Sequence, residues 1–127
     1  MSVKPIWIHL ETVRMIHHRQ ILEHGGAPGL RDAHLLEAAI ARPQQLLAYQ
    51  KPLPTIVELA AAYASGLVRN HPFVDGNKRT ALVTCRLFLD LNGVAMSLSD
   101  VEKYHLILQL AAGDITEWQF ATLISDE

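Results

Sequence analysis

The chain is poor in the features that mark several protein classes. It holds one cysteine in 127 residues, so no internal disulfide framework supports it. Its longest apolar runs fall far short of the roughly 20 residues that cross a bilayer, so no membrane-spanning helix is expected. The apolar stretch in Ile6-Trp7-Ile8-His9-Leu10 is too short for the core of a secretory signal. Internal repeats and low-complexity tracts are absent. An excess of one charge is absent too: 11 basic and 13 acidic residues leave −2, which argues against general nucleic-acid binding. What remains is half apolar and 19% charged, the composition of one folded domain over residues 1–127, expected in the cytoplasm. A chain of this size buries about two-thirds of its unfolded surface and folds without a disulfide or a metal.

Apolar spacing predicts an all-α fold, with a short strand or flap at residues 6–10 as the exception. From Glu11 to His24, the residues Leu10, Val13, His17 and Ile21 recur at helical spacing, and Gly25-Gly26 stops the helix. Asp32 is the expected N-cap of a helix from Ala33 to Arg42, which Pro43 ends. Residues 43–54 hold three prolines and read as a loop or flap. Three capping boxes follow: Thr55 with Glu58, Ser99 with Glu102, and Thr116 with Gln119. They open helices ending near Arg69, near Gly113, and in the last residues. Between the first two lies a helix from about Asn77 to Leu91, apolar nearly all round, which predicts the buried centre of a helical bundle.

Charge is focused rather than spread. Between Arg69 and Arg86 stand four bases and one acid, Asp75, a local net of +3 in an acidic chain. That island overlaps Arg69-Asn-His-Pro-Phe-Val-Asp-Gly-Asn-Lys-Arg-Thr80, where Pro72 and Asp75-Gly76 break helical rules between two helices. A loop feeding a helix N-terminus presents free N–H groups at the positive end of a dipole, an anion site. Gly76 permits close approach, and Lys78 and Arg79 add charge suited to phosphate oxygens. Histidine titrates near neutral pH, so His71 is the candidate general base. Asp75 is a hard oxygen ligand suited to Mg²⁺ beside phosphates, or else a mere helix cap. Phe73 is expected to turn into the core and pin the loop. These residues together point to phosphoryl or nucleotidyl transfer by positioning and charge stabilisation.

The run His71-Pro-Phe-Val-Asp-Gly-Asn-Lys-Arg79 resembles the signature of the Fic/Doc family, in its death-on-curing (Doc) form. Lys78 stands where Fic enzymes have glycine, and Leu82 where they have a second arginine. Gly25-Gly26 and Glu37-Ala-Ala-Ile40 extend the resemblance over nearly the whole chain. The resemblance implies a single-domain helical bundle and the use of ATP and Mg²⁺. It implies His71 as base, Asp75 as metal ligand, and Gly76, Asn77, Lys78, Arg79 and Arg69 around the nucleotide phosphates. For a Doc-like protein it implies a toxin that moves the γ-phosphate of ATP to a threonine of the bacterial translation elongation factor Tu. Transfer of AMP to a protein hydroxyl, the Fic reaction, is the alternative, and an inert helical regulatory module is a third. A Phd-type antitoxin is the implied partner, since the inhibitory Ser/Thr-x-x-x-Glu helix of many Fic proteins has no match here. Its groove is expected among residues 8–24 and 99–112. The loop before Thr55 is a flap in the family, which makes Tyr49 and Lys51 target-contact candidates.

The remaining residues carry little chemistry. Cys85 reads as a buried, inert thiol. His17-His18 and His24 lack zinc spacing, and His18 should face solvent. His9, His34 and His105 have no evident partners, and Trp7 and Trp118 read as packing residues.

Overall fold

The computed structural model describes residues 4–125. Six helices follow in order: α1 (Leu10–His24), α2 (Ala33–Tyr49), α3 (Ile56–Asn70), α4 (Asn77–Leu91), α5 (Asp100–Ala112) and α6 (Glu117–Ile124). The all-α bundle expected from the sequence is the fold. Asp32 caps α2, its carboxylate accepting from Leu35 N–H at 3.0 Å. All three capping boxes close in both directions, opening α3, α5 and α6. Each satisfies orphan N–H groups that a helix start would otherwise leave bare.

A buried helix does run through the bundle, and it is α3 rather than α4. Leu59 to Leu67 are buried without interruption, and α3 packs against α2, α4, α5 and α6. Small residues make this possible: Ala60, Ala61, Ala62, Ala64, Ser65 and Gly66 let neighbours approach from every side. A Cβ at Gly66 would lie 3.3 Å from the Ala39 Cα, so any side chain there would crowd the α2–α3 crossing. α4 instead keeps Lys78, Arg86 and Asp90 exposed. Its inner face lays Phe88 against Tyr63, with ring centroids 5.1 Å apart. Burial of such side chains contributes about 1.5–3 kcal/mol each and anchors the frame that carries the site. Burial also pushes the Cys85 thiol up to about 12, an inert state.

Three local expectations are corrected. Residues 6–9 form no strand. Side chains hold them: Ile6 N–H donates to Asn92 Oδ1 at 2.8 Å and Ile8 N–H to the Tyr63 hydroxyl at 3.0 Å. α2 does not stop at Pro43 but runs on to Tyr49. Pro43 is buried, and the carbonyl it cannot donate to, that of Ala39, lies at the close α2–α3 contact beside Gly66. Packing there outweighs the lost hydrogen bond. Trp118 is 70% exposed, because α6 buries Phe120, Ala121 and Ile124 and the indole lies off that stripe. Trp7 packs on Phe88 as expected.

Candidate active site

The loop between α3 and α4 is fixed by the segment that precedes α2. α3 ends with His71 in the left-handed conformation, φ 50° and ψ 54°. Among the described residues it is the only non-glycine with positive φ. Such strain persists only where surrounding contacts determine it. Here His71 N–H donates to Leu67 C=O at 3.2 Å, and the Arg31 guanidinium donates to the carbonyls of His71 at 2.7 Å and Asn70 at 2.9 Å. The Arg31 charge also sits at the negative end of the α3 dipole. Pro72 C=O accepts from the N–H groups of Arg31 and Asp32, and Val74 N–H donates to Gly29 C=O. Leu30 and Phe73 form an isolated antiparallel bridge.

Phe73 is the pin of the loop, 2% exposed. Its ring stacks on the buried His17 imidazole of α1. Its N–H donates to Asn77 Oδ1 at 3.0 Å, and its carbonyl accepts from Asn77 Nδ2 at 2.9 Å. The second hydrogen of that amide points to His71 Nδ1, 3.1 Å away. The Asn77 side chain is thus committed to the protein, and what it can offer the cleft is its backbone N–H.

A cleft of about 350 Å³ opens at this point. His71, Asp75, Gly76, Asn77, Lys78 and Arg79 line one side, and Gln20, Ile21, His24, Gly25, Gly26 and Tyr104 complete it. The first helical bond of α4 runs from Thr80 N–H to Gly76 C=O, so the N–H groups of Asn77, Lys78 and Arg79 precede the ladder. Gly76, at φ 76°, is the N-cap. The Arg79 guanidinium lies over the Tyr104 ring, 5.1 Å from its centroid.

Asp75 is exposed, with Oδ1 accepting from Gly76 N–H at 2.8 Å and Oδ2 from Ala27 N–H at 3.3 Å. Those two N–H groups, Gly76 first, hold its carboxyl below the usual carboxylate range. It is therefore ionised at neutral pH, with lone pairs to spare on both oxygens. One exposed, ionised carboxylate beside a phosphate site fits Mg²⁺, which takes few protein ligands and keeps several waters. Among the described residues, no group of three or more His, Cys, Asp or Glu side chains gathers as a metal cage.

The loop brings six of the expected site residues to one cleft, with Phe73 buried behind them. Arg69 is exposed on the last turn of α3 and outside the cleft lining. Tyr49 ends α2 and Lys51 lies just beyond it; both are exposed and outside the cleft. Sequence reasoning missed His17, Arg31, Gly26 and Tyr104. His17 stood on the apolar stripe of α1, which was its one local signal. Its Nε2–H donates to the Asp75 carbonyl at 2.8 Å, and burial holds its imidazole below its ordinary value. His34, expected to be alone, lies 3.7 Å from Glu37 on the surface.

The Fic/DOC family model matches residues 7–89. The chain belongs to the Fic/Doc family. It is 37% identical over 106 residues to the protein kinase Doc of Escherichia phage P1, covering 84% of this chain and 82% of that protein. It is 44% identical over 80 residues to the toxin Doc of Mycolicibacterium smegmatis, covering 62% of each. The family match takes in α1 through most of α4 and so the whole His71–Arg79 loop, but ends before Tyr104. Among the described residues, no helix is long and apolar enough to cross a membrane.

Proposed function

We propose that this chain is a Doc-type toxin that moves the γ-phosphate of ATP to a threonine hydroxyl of elongation factor Tu, halting translation in the bacterial cytoplasm. The observation that carries the reading is the convergence of His71, Asp75 and the free N–H groups of α4 on one cleft with Lys78 and Arg79. The names of the phage and mycobacterial relatives, a protein kinase and a toxin, support it. A Phd-type antitoxin is the proposed restraint.

The chain's own residues supply positioning and charge. The α4 N-terminus with Gly76, Lys78 and Arg79 receives the phosphates. Asp75 holds Mg²⁺, which when bound neutralises charge on the phosphate oxygens. His71 receives the threonine proton. The O–H bond breaks, the freed electron pair of that oxygen forms the new O–P bond, and the bond to the leaving ADP oxygen breaks. Arg69, Tyr49 and Lys51 stand outside the cleft, where a protein acceptor would meet them.

The test is transfer from ATP labelled at the α or the γ position to elongation factor Tu, with Mg²⁺ present. γ label alone, lost by about 10²-fold or more in His71→Ala, is the expected result. α label would return the chain to AMP transfer. Absence of any label would overturn the reading and favour an inert module, and label untouched by His71→Ala would overturn the role of His71 as base.

A further inference from the structure

The Asn77 amide has only one orientation that satisfies Phe73. Oδ1 faces an N–H and Nδ2 faces a carbonyl, and exchanging them would set donor against donor and acceptor against acceptor. The remaining hydrogen on Nδ2 therefore points at His71 Nδ1. A nitrogen that accepts this bond carries its lone pair there. In the neutral ring the hydrogen is then on Nε2.

We infer that Asn77 is a positioning residue that holds neutral His71 in its Nε2–H tautomer, so the resting ring has its lone pair turned toward Asn77 and not free at Nε2. The proposal deepens the role given to His71 above and rests on that reading for its catalytic meaning. A hydroxyl can pass its proton to His71 only at a nitrogen with a lone pair. In the resting ring that nitrogen is Nδ1, where Asn77 already donates. The opposite tautomer would bring Nδ1–H head-on to the Asn77 N–H. Either route requires the Asn77 amide to loosen its hold. The same amide staples Phe73, whose loop carries Asp75 and leads into the α4 N-terminus. Asn77 thus joins the phosphate-binding turn to the proton acceptor through one side chain.

Long-range ¹H–¹⁵N correlation spectra of the histidine-labelled protein, above the pH at which histidines are protonated, read the tautomer directly. His71→Gln assigns the signal. The wild-type protein should show the Nε2–H pattern at His71. Asn77→Asp keeps an acceptor for Phe73 N–H but can only accept from His71, so the pattern should invert to Nδ1–H. Asn77→Ala, checked for folding by circular dichroism, removes the donor and should leave a mixture of tautomers. An Nδ1–H pattern in the wild type overturns the inference. So does a pattern unchanged in both Asn77 variants. The spectra need no transferred label, so failure of the transfer assay and failure of this inference are separable.

Discussion

The imidazole of His17 lies flat on the ring of Phe73, with centroids 3.8 Å apart and planes 7° from parallel. This one stack fastens α1 to the loop that carries His71 and Asp75. The His17 Nε2–H then reaches past the ring to the Asp75 carbonyl. His17→Ala loses the stack, a hydrogen bond and a filled volume, and should cost about 2–4 kcal/mol in urea denaturation.

Stability should also fall in mild acid through the same residue. Burial holds the native His17 ring below its ordinary value of 6.5, outweighing the Asp75 carbonyl bond that raises it. The unfolded chain therefore binds the extra proton first. The contribution is full above pH 6.5 and is lost as pH falls from there toward the lowered native value. Urea midpoints at about pH 7.5 and about pH 5.5 measure the loss. His17→Phe keeps the aromatic contact and removes the titration, so its acid-side loss should be smaller.

Gly26 sits against the metal-ligand candidate. At φ 113°, a Cβ there would lie 2.8 Å from Asp75 Oδ2. In Gly26→Ala the carboxylate must turn away, giving up the Ala27 N–H. Transfer should then need about tenfold more Mg²⁺, read from a magnesium titration of the rate. Gly25→Ala is the control, because nothing lies within 4 Å of a Cβ at that position.

Tyr104 should tune nucleotide affinity through Arg79. Tyr104→Leu removes the face that holds the guanidinium and should weaken ATP binding about 2–5-fold in calorimetry. Tyr104→Phe should restore the wild-type value, because the ring supplies the attraction. Equal losses in both variants would assign the effect to the hydroxyl instead.

Local chemistry was legible in the sequence, and long-range chemistry was not. Asp32, Thr55, Ser99 and Thr116 announced helix starts because a cap and its partner lie within three residues. The His71–Arg79 loop was legible because its groups are packed into nine positions between two helix signals. Pro43 misled because its lost bond is a local penalty, whereas the α2–α3 packing that outweighs it comes from residues more than twenty positions away. The rank of α3 over α4 was hidden for a related reason: a run of alanines scores low in apolar bulk yet allows the closest packing. Arg31 and Gly26 act on His71 and Asp75 across some 40 to 50 positions, and no local pattern marks such pairs.

The left-handed backbone at His71 sets usefulness against ease of folding. Glycine or asparagine would settle at that position with less strain, and neither could take the proton-acceptor role proposed for His71. A lineage released from the need for activity could therefore drift to either residue at 71 while keeping a sound, even sturdier, bundle. Silent members of this fold would then be recognised by a relaxed residue at this one turn, long before their helices showed any decay.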